Sequence, residues 1–221
     1  MDTFLPSAMR SQSGIFATLR KFARKREPEE HCELCGIVIP AAHRHLIEVA
    51  ARKIVCACDP CALRFQDVEG GRFKLLPRDA RRLTDFRMSE GMWEDLALPI
   101  NLVFLFQSSA AGKMTAIYPS PAGAMESLLP LSAWDELVEE NPVLAEMRPD
   151  VEALLVNRVR DPEYYIAPMD ACYELVGLVR MHWRGFAGGE EVWNEISAFF
   201  ERLRGQSAPV NGVQQHLTIH A

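Results

Sequence analysis

Two CxxC pairs lie in the first third of the chain, one at Cys32 and Cys35 and the other at Cys58 and Cys61. Four thiolates at this spacing suit a tetrahedral ion with metal–sulfur bonds of about 2.3 Å. Free thiols without a ligand rarely account for two such pairs in one short segment. The pattern therefore predicts a single metal ion held by Cys32, Cys35, Cys58 and Cys61.

The shortness of this segment also favours a metal. Cys32 to Cys61 spans about 30 residues, and segments below roughly 40 residues rarely fold on a hydrophobic core alone. A structural zinc ion contributes on the order of 10 kcal/mol of apparent folding free energy. A disulfide contributes only about 2–4 kcal/mol and needs an oxidising compartment. We therefore expect reduced thiols that bind a metal.

Other side chains compete for the same ion. Cys56 lies two residues before Cys58, so five thiols are available for four positions. Cys56 could replace one of the four ligands, or it could stay unbound to the ion and donate a hydrogen bond to a ligand. His31, His43 and His45 are also near, and a site of three cysteines and one histidine is a further alternative. The sequence leaves these ligand sets open.

The identity of the metal is open between zinc and iron. Zinc is the first choice, because closed sites of four thiolates are typically structural zinc sites. Iron is the alternative, because rubredoxins hold one iron between two CxxCG-like turns. Ala62 stands where the second such turn would have its glycine, and the gap between the pairs is short for a rubredoxin.

Local sequence indicates how the four cysteines are positioned. Gly36 follows the first pair and Pro60 lies inside the second, so we expect both pairs to form tight turns. The segment from His45 to Val55 alternates and is rich in β-branched residues, which is typical of a hairpin. Residues 31–69 are therefore predicted to form a zinc-ribbon-like four-cysteine module.

The next part of the chain, residues 70–204, is predicted to be an acidic α+β domain. Residues 100–106 and 114–118 have the pattern of two strands joined by a turn, and residues 164–166 form a third short strand. Residues 151–159 fit either a strand or a helix. Two long helices, beginning near Asp170 and Glu190, are predicted to cover one face of an antiparallel sheet.

The two ends of the chain differ from the rest in composition. Residues 1–30 are predicted to be a basic amphipathic arm, with a short helix that docks on a protein or membrane surface or folds back onto the acidic domain. Residues 205–221 begin with Gly, Ser, Pro and Asn, and they are predicted to be a flexible tail.

The amino-acid composition indicates the general class of protein to which the chain belongs. With 48% hydrophobic and 24% charged residues, the 221-residue chain resembles soluble globular proteins. No apolar run is long enough for a transmembrane segment, and no secretory signal is apparent, so a cytoplasmic location is expected.

The net charge is −6 and the acidic residues lie mainly after residue 88, which argues against a nucleic-acid partner. No GxSxG, GxGxxG, HExxH or Walker pattern occurs, which favours a protein that is not an enzyme.

Several segments together resemble a bacterial family whose genes commonly lie beside those of high-affinity nickel–iron uptake hydrogenases. The resemblance covers most of residues 31–204 and rests on the segments CELCG, HRHLIEV, CACDPC, YPSPAGAMESLL, NPVLAEMRPDVEALLVNR and YELVGLVRMHWRGFAGGEEVW. It implies a role in assembling, maturing or electrically wiring such a hydrogenase. The implied partner is a hydrogenase subunit or a maturation factor.

The residues and the resemblance combine into one expectation. We expect a non-enzymatic, zinc-binding accessory protein in which the four cysteines shape a small module and the acidic domain contacts a protein partner. The alternative is a rubredoxin-like electron carrier that holds one iron with the same four cysteines.

Overall fold

A computed structural model describes residues 29–65, 70–98, 100–128 and 131–212 of the chain. The described chain forms a three-stranded sheet near the N-terminus and a seven-stranded sheet after it. The helix predicted within the basic arm lies outside the described residues. No helix among the described residues combines the length and apolar character needed to cross a bilayer.

The small sheet has the order β2-β1-β3, with both pairs of neighbours antiparallel. Its strands are β1 (Arg44–Glu48), β2 (Lys53–Ala57) and β3 (Phe73–Leu75), and helix α1 (Asp59–Phe65) follows β2. On one face Leu46 and Val55 pack with Ala62 of α1. On the other face Ile47 points into the core of the larger sheet, so the small sheet has apolar contacts on both sides.

The large sheet has the order β10-β4-β9-β8-β5-β6-β7. All neighbours in it are antiparallel except β10 and β4, which are parallel. Its strands are β4 (Arg81–Thr84), β5 (Leu102–Ser108), β6 (Lys113–Ser120), β7 (Gly123–Leu128), β8 (Glu152–Asn157), β9 (Glu163–Pro168) and β10 (Ala208–Asn211).

Helices cover both faces of this sheet. They are α2 (Glu90–Asp95), α3 (Leu131–Glu140), a 3-10 helix (Pro142–Glu146), α4 (Met169–His182) and α5 (Gly189–Gln206). Apolar residues of α4 and α5 form one core with Phe104 and Tyr165 of the sheet. Residues of α2, α3 and the 3-10 helix form a second core on the opposite face, where Trp134 packs near Leu105.

The architecture confirms the α+β prediction, with a four-cysteine cluster near the N-terminus, an antiparallel-rich sheet and C-terminal helices. Of the two alternatives for residues 151–159, the chain adopts the strand β8. Every residue of β8 is buried, because the strand is central and covered on both faces. Burial on both faces removes the alternation by which a strand is recognised in sequence.

The C-terminal segment differs from the predicted flexible tail. Helix α5 continues to Gln206, and Ala208–Asn211 pair with β4 as the edge strand β10. The pairing lets the backbone groups of this segment bond to the sheet edge, which its composition does not reveal. Residues 213–221 lie outside the described residues.

The four-cysteine segment and the acidic part share a core. Ile47 of β1 is 1% exposed and packs in the cluster that includes Phe104 and Tyr165. Lys74 of β3 bonds to the buried carboxylate of Asp150, beside the large sheet. The division into separate domains at residues 69 and 70 therefore stays a prediction.

Candidate metal centre

The four predicted cysteines converge in space. The sulfur atoms of Cys32, Cys35, Cys58 and Cys61 all lie within 4.8 Å of one another, and those of Cys35 and Cys58 are 3.6 Å apart. A regular tetrahedron of metal–sulfur bonds of about 2.3 Å has a sulfur–sulfur edge of about 3.8 Å. The cluster therefore has the dimensions of a site that could hold a metal ion.

The first pair lies in a tight turn, as predicted. The backbone N–H of Gly36 donates to the carbonyl of Cys32 at 2.8 Å, and the N–H of Cys32 donates to the carbonyl of Ile37 at the same distance. Gly36 has φ of +77°, a conformation that favours glycine because it has no Cβ. The glycine after the pair thus allows the chain to curl around Cys32 and Cys35.

The second pair begins a helix, which corrects the prediction of two tight turns. Cys58 directly follows β2, and its carbonyl accepts the 2.9 Å hydrogen bond from Ala62. Pro60 occupies the first turn of α1, where its missing N–H and fixed φ cost nothing. Cys61 consequently extends from the first turn of a helix, and the zinc-ribbon-like form of the module stays a prediction.

Hydrogen bonds of Glu33 connect the turn that contains Cys32 and Cys35 to strand β2. Its backbone N–H donates to the carbonyl of Cys56 at 2.9 Å, while its carboxylate accepts from the N–H of Cys56 and from Lys53. The hydrogen bond from Lys53, followed by that from Cys56, lowers the pKa of the Glu33 carboxyl. These bonds hold the turn of Cys32 and Cys35 against β2, which leads directly to Cys58.

The thiols have unequal proton affinities. Burial would raise the pKa of Cys32, but hydrogen bonds from the backbone N–H groups of Cys58, Leu34 and Cys35 lower it to about 6. A hydrogen bond with the Cys58 side chain, together with burial, raises the pKa of Cys61 to about 12. A metal that binds all four sulfurs must therefore displace protons that the cluster otherwise retains.

The cluster is closed on one side and open on the other. Cys32 and Cys58 are 1% and 6% exposed and pack with Ile39, whereas Cys35 is exposed. Two ligands thus lie in an apolar environment and Cys35 forms the outer edge of the site. This arrangement suits a structural site near the surface better than a pocket for a substrate.

Cys56 and two of the neighbouring histidines form a second group. The side chains of His43, His45 and Cys56 present ligand atoms that all lie within 4.8 Å of one another. His31 is apart from them, exposed and bonded through Nδ1 to the carbonyl of Glu29. The grouping was not predicted from the sequence, although the HxH motif that enters β1 and the CxC motif that ends β2 were the available signal.

The sixth cysteine is a core residue. Cys172 of α4 is fully buried among the apolar side chains between α4, α5 and the sheet. Burial, with a smaller effect of the Asp170 charge, raises the pKa of its thiol. Cys172 therefore lacks both the access and the ionisation that a nucleophile requires.

The chain is thus an α+β protein whose four clustered cysteines could hold a metal ion. The chain belongs to DUF5947, a family of unknown function, because the model of that family matches residues 31–207. The matched range includes the four cysteines and all of the large sheet except β10. No curated protein and no solved structure matches the chain.

Proposed function

We propose that the four cysteines hold one zinc ion that fixes the fold of the N-terminal segment. The observation that carries the proposal is the convergence of four sulfur atoms from a turn, a strand end and a helix start. The inner cluster of the small sheet has few buried side chains, so an ion linking these three elements would add to the stability that the segment gains from its contact with the large sheet.

Zinc is preferred to iron on the geometry of the second pair. Cys58 and Cys61 lie at the start of a helix instead of in a second glycine-containing turn. The site thus departs from the paired turns on which the comparison with one-iron carriers rested. The two metals are distinguished by colour, since a zinc-loaded protein is colourless and ferric iron on four sulfurs absorbs strongly in the visible range.

Metal analysis of cysteine variants tests the ligand set. Cys32→Ser and Cys61→Ser should each lose one zinc ion per chain relative to the wild type. Cys172→Ala is the matched control, because it removes a buried thiol that belongs to neither ligand group, and its zinc content should equal that of the wild type. Unchanged zinc content in Cys32→Ser or Cys61→Ser would show that the ligand set is wrong.

We further propose that the protein is a cytoplasmic, non-enzymatic accessory factor for a nickel–iron hydrogenase. The support is the resemblance of residues 31–204 to a family encoded beside such hydrogenases, and a cluster suited to a structural ion. In this role the protein would bind a hydrogenase subunit or a maturation factor during assembly, maturation or electron wiring.

Two experiments in cells test the accessory role. A tagged chain should co-purify with a hydrogenase subunit or one of its maturation factors, and Cys32→Ser should reduce the yield of this complex. Cells that lack the protein should accumulate hydrogenase with reduced activity or incomplete assembly. Fully assembled and active hydrogenase in those cells would count against the role, whatever the metal content of the protein.

A further inference from the structure

A second set of metal-binding side chains lies on the face of the hairpin that is turned toward the large sheet. His45 of β1 pairs directly with Cys56 of β2, and the next pair on the same face is Ile47 with Ile54. Directly opposed residues on antiparallel strands have neighbouring side chains, about 5 Å apart at Cβ. His43 lies two residues before His45, so its side chain joins the same group.

The hydrogen bonds of the two imidazoles determine which nitrogens are free. His43 Nδ1 lies 2.9 Å from the carbonyl oxygen of Pro40, and His45 Nδ1 lies 2.7 Å from a carboxylate oxygen of Asp170. Since a carbonyl and a carboxylate oxygen accept hydrogen bonds, each Nδ1 carries the proton. In the neutral form of each imidazole, Nε2 then carries the lone pair.

The two free nitrogens face each other. His43 Nε2 and His45 Nε2 are 3.1 Å apart, and Cys56 lies within reach of both. Two lone pairs at this distance repel each other unless a proton or a cation lies between them. Zinc–nitrogen bonds of about 2.0–2.1 Å in a tetrahedral site give a nitrogen–nitrogen separation of about 3.3 Å. The observed spacing is therefore close to that of two imidazoles on one ion.

We propose that His43, His45 and Cys56 form a second metal site, which binds a divalent transition-metal ion such as Zn²⁺ through two Nε2 atoms and one sulfur. This ligand set suits a borderline-soft cation, which accepts both imidazole and thiolate. Three protein ligands leave the fourth tetrahedral position for water or another ligand. No residue is shared with the set Cys32, Cys35, Cys58 and Cys61, so each ion would have its own protein ligands.

Residues behind the ligands have the arrangement that metal-bound histidines require. Metal-ligating imidazoles usually donate their second N–H to a carboxylate or a backbone carbonyl, which fixes the ring and its tautomer. Asp170 supplies the carboxylate for His45 and Pro40 supplies the carbonyl for His43. Glu30 adds a second carboxylate, 3.1 Å from His43 Nδ1. Negative charge behind both rings favours a bound cation.

The site lies where the small sheet meets the large one. Asp170 belongs to the first turn of α4, and Ile47 and Ile54 contact the core that α4 covers. His45 and Asp170 also line a cavity of about 570 Å³ that opens to solvent. The side chains of His45 and Cys56 are both partly exposed, so an ion can reach these ligands from solvent. A bound ion would connect the hairpin, through His45 and Asp170, to the first turn of α4.

Zinc titration of the reduced full-length chain against a chromophoric chelator tests the second site. The His45→Gln variant should bind one zinc ion fewer per chain than the wild type. The matched control is His182→Gln, because His182 also bonds a carboxylate, that of Glu191, but is not part of either ligand group. Equal zinc stoichiometry in the wild type and in His45→Gln would overturn the proposal.

Histidine nitrogen NMR of the unsubstituted chain gives a second readout that does not depend on a variant folding. Zinc should shift the Nε2 resonances of His43 and His45 and leave those of His182 in place. If saturating zinc leaves these resonances in place, the two Nε2 atoms share a proton instead of an ion, and the proposal is overturned. This NMR result does not depend on the four-cysteine site, because loss of zinc from that site is measured separately in the Cys32→Ser variant.

Asp170 is a positioning residue in this proposal and offers a graded test. Asp170→Asn should weaken zinc binding at the second site by roughly 10- to 100-fold, as is typical when a partner behind a ligand is changed. The zinc affinity of the four-cysteine site should not change. An Asp170→Asn variant with wild-type affinity at both sites would show that His45 does not act as a ligand oriented by Asp170.

Discussion

The five thiols between residues 32 and 61 have distinct surroundings although they are close in sequence. Cys32 accepts several backbone N–H bonds, and Cys61 bonds with its neighbour Cys58. Cys56 faces the two histidines instead of joining the other four. The type and spacing of the residues identified the four-cysteine set. The place of Cys56 depends on the register of a hairpin, which spacing alone does not determine.

The pKa values predict how zinc binding depends on pH. Ligation requires thiolates, and the cluster retains protons at neutral pH because the pKa of Cys61 is raised to about 12. Lowering the pH adds protons that compete with the ion, so affinity falls. Binding that releases more than one proton should weaken more than about tenfold per pH unit. Chelator competition between pH 8 and pH 6 measures this slope, and an affinity independent of pH would contradict it.

Burial of Cys172 predicts a difference in thiol reactivity. In the native, metal-free protein an alkylating reagent should modify the exposed Cys35 and leave Cys172 unmodified. In denaturant both should react, because burial is what raises the pKa of Cys172 and blocks access to it. Mass spectrometry of digested samples measures both sites. Rapid native modification of Cys172 would contradict its place in the core.

At the level of secondary-structure elements, strands with a strong apolar pattern could be predicted from the sequence. Strands β3 and β10, which form by pairing with strands far away in the chain, could not. The apolar run of β5 and its turn into β6 follow from local sequence, as do α4 and α5. The short strands β3 and β10 exist because their backbones complete the edges of sheets. Such pairing is decided by distant strands, so the local composition of these segments did not reveal it.

The turn between α4 and α5 offers a test of backbone conformation. Gly188 precedes α5 with φ of +85°, and a Cβ placed there would lie 2.8 Å from Cγ1 of Val192 and 3.2 Å from the ring of Trp183. Gly188→Ala should therefore lower the free energy of unfolding by at least about 2 kcal/mol, through strain at positive φ together with the clash.

Gly177, inside α4, is the matched control for this substitution. A Cβ there meets nothing within 4 Å, and its φ is not positive. Gly177→Ala should raise the free energy of unfolding by up to about 1 kcal/mol, because alanine is the better helix former. Denaturant unfolding measures both variants. A Gly188→Ala variant as stable as the wild type would contradict the conformation described for this turn.

At the scale of the whole molecule, the two sheets differ in what holds them together. The large sheet is covered on both faces by helices, whereas the inner cluster of the small sheet consists of a few residues such as Leu46, Val55 and Ala62. The fold class followed from the order of the sequence patterns. The contact between the sheets through Ile47 was not predicted, because it depends on the three-dimensional path of the chain.

This contrast predicts a graded response to metal removal. A chelator should abolish hydrogen-exchange protection in β1, β2 and α1, because the ion links the ends of these elements. Protection in β5 and β8, which lie at the centre of the large sheet, should persist. Mass spectrometry of peptides before and after chelation reads both regions. Loss of protection throughout the chain would contradict a separate role for the ion.

The proposed zinc site consists of four sulfur atoms around one ion. X-ray absorption of zinc in the purified His45→Gln variant tests it most directly, since that variant should retain only the four-cysteine site. We expect one zinc ion per chain with four sulfur neighbours at about 2.3 Å. A chain that retains no metal, or zinc bound mainly by nitrogen and oxygen, would show that the four cysteines do not hold a zinc ion.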